Sequence, residues 1–564
     1  MKGLPARLSC AVVTFFLALF LVLGGFASGN GGSPQDASSV RSGILYADQF
    51  RGSDDGERIS KALAACAQQA NCIVDARSLT QRAASAPIVI AQSNVTLLMP
   101  AGEFTLAGSP GILIEGHGVN LIGVSRASAP APVTQSVLQT SSATADIVQV
   151  RGTFDRVTDF TLRSTVKRQQ GAGLNVMAGN GYFDNLRIEK TWDGIDLRSP
   201  AAAGHFSHIT MGQGYSKSGN WNAGIYIGGI AKGGVSNATF QDVLITADAP
   251  FATAQIVLDD GTDTPLFSNC AAIASNGISA TSVLFQHTAG GMLANDALFV
   301  NCIFAGGRNP AIDFEGFRNA HFKNIVIDPG LRGILQNFAG GYAEFDGGYI
   351  QQQQREAVLM AAGPASIRNM RIGDNSQAAH DRFDDIKVGA GVSDFALVGN
   401  IFSDVQGLSP ANRPRHNIEI VSGPSDRYSV MDNNFSPELS EPLLDLGTGT
   451  NKISVNRNAG SMYVPRGMSS DASGYKHRRF PAPLGGSCPS AAAAGAACTS
   501  AGLNWGTPFP DNDYTVSCTL TTPSGQPHIS SYSKLPGGRG IRLTIAADTA
   551  AAADAGADCI AVHD

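Results

Sequence analysis

Phe183-Asp184-Asn185-Leu186-Arg187-Ile188 returns as Phe206-Ser207-His208-Ile209-Thr210-Met211 and again as Phe240-Gln241-Asp242-Val243-Leu244-Ile245. The pattern is an apolar residue, a spacer, an Asn or near equivalent, then two apolar residues around a second spacer. It continues as Phe267-Ser268-Asn269-Cys270, Phe299-Val300-Asn301-Cys302, Phe322-Lys323-Asn324-Ile325 and Ile367-Arg368-Asn369-Met370. Phe345-Asp346-Gly347-Gly348 is a copy with Gly at the Asn position, and Val398-Gly399-Asn400-Ile401-Phe402 closes the series. Each unit holds short period-two strands that cannot bury an apolar side alone, so successive units must stack into one core. Roughly 22 to 34 residues separate the units, which suits one coil with loops of varying length. Long runs at period 3.6, which a helical solenoid needs, are absent. The fold class is therefore all-β, a right-handed parallel β-helix of roughly a dozen coils. The Asn sits at a bend, where stacked amides can hydrogen-bond along the axis.

Working outward, Asp54-Asp55-Gly56-Glu57 leads into a short amphipathic helix with Ile59, Leu63 and Cys66 on one side. An Asp of this pair caps the helix, and the helix covers the open end of the stack. Further upstream, Lys2 and Arg7 precede an apolar run from Ala11 to Phe26 and the small residues Ala27-Ser28-Gly29. That order is a secretory signal peptide, assigned to residues 1–29. The run is about 16 residues, short of the ~20 that span a bilayer. The mature protein is expected to be extracellular or periplasmic, with no membrane contact beyond the signal peptide. The β-helix with its capping helix is assigned to 40–460, a Pro/Gly/Ser-rich linker to 461–485, and a small disulfide-containing β module to 486–564.

A net charge of −6 without a long basic run excludes nucleic acid as a partner. Lys476-His477-Arg478-Arg479 reads as a solvated part of the linker. Export favours disulfides, expected at Cys66–Cys72, Cys488–Cys498 and Cys518–Cys559. Cys270 and Cys302 fall at equivalent inward positions of adjacent coils and are expected to be a buried stack of free thiols. No Cys has zinc-site spacing with His, and no metal ligand is assigned.

The Asp pair before the helix and the coil pattern over about residues 88–460 resemble the pectate lyase superfamily, including its rhamnogalacturonase and epimerase-like members. The resemblance implies a pectin-lyase-like β-helix that handles polysaccharides. Thr191-Trp192-Asp193-Gly194-Ile195-Asp196 resembles the Asn-Thr-Asp-Gly-Ile/Phe-Asp motif of polygalacturonases, which implies a catalytic role for Asp193. Where that family has an Asp-Asp pair in the next coil, this chain reads Trp221-Asn222-Ala223. The terminal module, with Leu503-Asn504-Trp505-Gly506, is similar to terminal β modules of phage tail fibres and surface proteins.

Residues just after each repeat unit should share one side of the stack, about 4.8 Å apart per coil. That row contains Trp192, Asp193, Trp221, Asp248, Arg308, Asp328, Arg332 and Arg355. Indoles can stack on sugar rings and Arg forks can hold uronate carboxylates. For hydrolysis, Asp193 and Asp248 would act as a carboxyl pair across two coils. For β-elimination, Arg308 or Arg332 would abstract a proton, with Asp328 or a bound Ca²⁺ stabilising the charge. Trp192, Trp221, Asp328 and Arg355 are the expected substrate contacts. The leading expectation is a secreted hydrolase or lyase acting on an acidic glycan, with no certain cofactor. The alternative is a non-catalytic surface protein that binds glycans. A homotrimer is left open.

Overall fold

A computed structural model describes residues 43–563 apart from short stretches. The longest of these are 127–133, 213–220, 404–412, 464–474, 489–496 and 548–555. The signal peptide assigned to 1–29 lies outside the described residues. Fourteen strands, from Ile88–Ile90 to Leu443–Gly447, form one sheet whose neighbours are successive coils. The pairings within it are parallel, as in Val148 with Ile112 and Leu174. The repeat units lie in the larger sheet, where Phe206 pairs with Phe183 on one side and Phe240 on the other. The chain thus winds as a parallel β-helix of about fourteen turns.

The repeat explains the winding residue by residue. Its first position faces inward. Phe183, Phe206, Phe240, Phe267, Phe299, Phe322 and Phe345 form one buried stack with ring centroids 4.6 to 4.9 Å apart. That spacing is the strand separation itself, so each ring meets the next without leaving its rotamer. The Asn position turns the strand. Asn185, His208, Asp242, Asn269, Asn301, Asn324 and Asn369 all have φ between 50° and 55°. Short polar side chains tolerate this left-handed region, and Gly347 takes it freely at φ 77°. Asn324 donates to Asn301 at 2.8 Å, Asn301 to Asn269 at 3.4 Å and Asn185 to Asp159 at 2.5 Å, so the amides do bond along the axis.

One assignment in the series shifts by a residue. Gly399, not Asn400, takes the bend, since Arg368 pairs with Val398 and Arg371 with Ile401. Asn400 therefore faces inward and is fully buried. It starts a second amide chain inside the stack. Asn400 donates to Asn433 at 2.9 Å, and Asn433 to Asn456 at 2.8 Å.

The helix Asp55–Ala65 is capped by Asp54, which accepts from the Glu57 N–H at 2.7 Å. Asp54 also accepts from Ser85 N–H, and Asp55 from Arg82 N–H, which ties the helix to the first coil. Ile59, Ala62 and Leu63 are buried against the core that the helix covers.

Four disulfides lie within the described residues: Cys66–Cys72, Cys270–Cys302, Cys488–Cys498 and Cys518–Cys559. They suit an oxidising compartment. The Cys270–Cys302 bond corrects the expected thiol stack. Adjacent coils bring the two Cα atoms to 4.5 Å, within the range a disulfide bridges. The terminal module also begins earlier than expected. Tyr475–Phe480 pairs with Gly556–His563 in the module's sheet. Lys476 and His477 are therefore buried strand residues, not a solvated linker, and His477 meets Asp558 at 2.6 Å.

Candidate functional site

In the fourteen-stranded sheet most strands carry an apolar–x–apolar triplet whose flanking residues face the core. The middle residues form an outward row. Strand register gives it as Asn175, Asp196, Tyr226, Val257, Leu284, Asp313, Leu335, Leu359, Lys387 and Glu419. Asp313 lies between Leu284 and Leu335, and its Oδ1 is buried without a hydrogen bond. Burial pushes this carboxyl up to about 7; the neighbouring charge of Glu315 adds to the rise, and Arg332 opposes it. Glu315, two residues on, is exposed. Glu315 lies in a bend just past the end of the strand Gly307–Phe314 that carries Asp313. Paired carboxyls act on a glycosidic bond at separations of about 5 to 9.5 Å. A protonated acid beside a solvated carboxylate is a division of roles set by environment.

Where the chain passes from the larger sheet into this one, a groove of about 520 Å³ opens. Arg308, Leu331, Gln352, Gln354 and Gln377 line it, together with Gly277, Gly307 and Gly330. The same strands run from groove to acid. Leu331 is followed by Arg332, which pairs with Pro310, three residues before Asp313. That is about 10 Å along the strand. Arg332 donates to Glu356 at 2.8 and 3.1 Å, and both are buried.

The residues singled out from sequence fall into two groups. Arg308 is exposed in the groove, and Asp328 precedes Pro329 on its wall. Asp328 is half-buried; burial raises its carboxyl, and Gln351 partly offsets this. Arg355 follows Gln354 and lies over the Phe383 ring at 4.9 Å. Trp192 is half-buried, two coils and more from this region.

The others require correction. Trp221 is 1% exposed and packs on Phe251, so it cannot stack on a sugar. Arg332 is buried and its guanidinium is taken up by the buried Glu356 carboxylate, so it is not open to a substrate. Asp193 is 0% exposed. Its carboxyl accepts from Asn222 at 2.8 Å and from Arg198, and burial raises it to about 6 against the pull of Arg198. Asp193 and Asp196 hold the same Arg198 nitrogen, and Arg198 lies 4.6 Å over the Tyr226 ring. This is a cross-braced wall and not an open acid. Asp248 is exposed but is no partner for Asp193, whose register equivalents are Ala223 and then Ala254. Counting from the repeat unit loses register because the corner loops differ in length.

Reasoning from sequence missed Asp313 and Glu315. The signal was present: Ile312-Asp313-Phe314 is an apolar–x–apolar triplet, like Val283-Leu284-Phe285 beside it. Its middle residue is the one turned away from the core.

No protein-family model matches the chain, and no curated protein matches it. Among solved structures, it is similar to the A-module of the Azotobacter vinelandii mannuronan C-5 epimerase AlgE6. The identity is 10%, over 75% of this chain and 99% of that one, with a TM-score of 0.36. It is similar to the tailspike protein gp49 of Pseudomonas phage LKA1 at 10% identity, covering 90% and 92%, with a TM-score of 0.40. It is also similar to a tailspike mutant of E. coli bacteriophage HK620 in complex with a pentasaccharide. There the identity is 9%, the coverage 91% and 90%, and the TM-score 0.39. These likenesses carry nothing about the reaction.

Proposed function

We propose that this chain is an exported polysaccharide hydrolase acting on an acidic glycan. One observation carries the reading: the strands that wall the Arg308–glutamine groove lead into a desolvated carboxyl, Asp313, with a solvated one, Glu315, beside it. Asp313 gives its proton to the glycosidic oxygen as the bond to the anomeric carbon breaks. Glu315 takes a proton from the water that attacks that carbon, so both atoms and charge balance. The glutamine amides offer donors and acceptors to sugar hydroxyls, and Arg308 offers a fork to a uronate carboxylate. The test is product chemistry on a panel of uronic-acid and neutral polysaccharides. Hydrolysis releases new reducing ends without products that absorb ultraviolet light. Unsaturated products would replace this reading with elimination at Arg308, aided by Asp328 or Ca²⁺.

A second reading is favoured by the full pairing of Arg332 with Glu356 and of Arg198 with its two aspartates. Charges that are already paired with one another in the wall of the coils suit a glycan-binding protein that cleaves nothing. Binding without any released product would establish it.

A further inference from the structure

Beyond Arg355, at the far end of the groove, two guanidiniums converge on one ring. Arg355 lies 4.9 Å and Arg382 5.4 Å from the centroid of Phe383. Both are within the distance at which a ring face attracts a cation. Their charges can be no more than about 10 Å apart, and partly screened repulsion between them persists at that range. Nearby carboxylates relieve it only in part, because each, Glu356 beside Arg355 included, is already held by another cation. Asp381 is held by Arg413 at 3.1 Å and by His380 at 3.1 Å. Asp384 is held by Arg415 and His416, and Glu356 by Arg332. The nearest carboxylate oxygen to Arg355, on Glu356, is 3.6 Å from Nε, and that Nε is buried without a hydrogen bond. Arg382 is exposed.

We infer that Arg355 and Arg382, clamped on Phe383, form a binding site for an oxyanion carried by the glycan, either a carboxylate or a sulfate ester. The site adjoins the groove, since Gln354 and Gln377 line it and the Ser376 N–H bonds to the Arg355 carbonyl at 3.1 Å. Packing both arginines on one ring restrains both forks before the ligand arrives, which limits the ordering cost of binding. The inference rests on reading the groove as the seat of the sugar chain, and it adds a second anion subsite beyond Arg308.

The test is the affinity of the full chain for polygalacturonate, dextran sulfate and neutral dextran, compared at low salt. Arg382→Gln and Phe383→Leu are compared with Arg479→Gln, an exposed charge in the terminal module. The expected result is about a tenfold loss of affinity for one or both anionic polymers with Arg382→Gln and with Phe383→Leu. Arg479→Gln should match wild type, and dextran binding should be the same for all. The two anionic polymers separate a carboxylate reader from a sulfate reader. An Arg382→Gln protein that binds both as Arg479→Gln does would overturn the clamp, while glycan hydrolysis by that variant would leave the proposed reaction standing. Anion binding at the clamp with no cleavage of any polymer would instead overturn the reaction alone.

Discussion

Leu284 is the register partner of Asp313 in the preceding coil, so an aliphatic side chain lies directly beside the carboxyl. Leu335 repeats this on the other side. Water that would stabilise a carboxylate is displaced on both flanks, and the acid form persists to about 7.

That shift has a sign. A carboxyl raised in the folded state keeps its proton over a range where the unfolded chain has lost its own. Folding carries no penalty from Asp313 below about pH 4, grows less favourable as pH rises, and levels off above about 7. Asp313→Asn should therefore be more stable than wild type at pH 8, by roughly 1 to 3 kcal/mol after allowance for partial exposure, and nearly equal at pH 4. Urea midpoints at the two pH values measure this. An identical pH slope in the variant would contradict it.

The bend asparagines make a second prediction. Asn324 has φ 50° and donates to Asn301 at 2.8 Å. Asn324→Ala loses both the tolerance of the left-handed region and the amide bond, for a cost of about 1 to 2 kcal/mol. Asn324→Gly should cost less, because it keeps the backbone conformation. Equal losses in chemical denaturation would show that the backbone conformation is not what Asn supplies.

Those bends are also the part of the molecule most legible in sequence. Most are polar residues at a fixed offset from a buried Phe, and stacking forces both onto common lines. Asn400 shows the limit. The spacing allowed two frames, and only the pairing of Arg371 with Ile401 assigns the bend to Gly399 and turns the amide inward. The site was harder to read. Asp193 drew notice because Asp-Gly-Ile-Asp resembles a catalytic motif, yet the same residues serve to anchor Arg198. Asp313 stands in no motif, and its chemistry comes from leucines 29 residues before and 22 after it, which only the winding brings together.

The buried amide chain is a third point of test. Asn433 is fully buried, accepts from Asn400 and donates to Asn456 and to the Leu397 carbonyl. Asn433→Ala removes the amide that links Asn400 to Asn456 in an apolar interior and should cost about 2 to 4 kcal/mol. A loss below 1 kcal/mol by the same denaturation assay would show that the neighbours re-pair.

Thiol counting tests the cross-coil bond. With Cys270 joined to Cys302, the exported chain denatured without reductant should show no titratable thiol after residue 29. Two thiols, mapped to these positions by alkylation and peptide mass, would restore the free-thiol stack.

The location of the chemistry is settled most directly by comparing reducing-end release from an acidic polysaccharide by wild type, Asp313→Asn and Asp193→Asn. Asp313→Asn should fold and bind the polymer but lose at least about a hundredfold in rate, the scale of a missing general acid. Asp193→Asn should be less stable yet cleave at close to the wild-type rate wherever it remains folded. Full activity in Asp313→Asn, with loss confined to Asp193→Asn, would contradict the account.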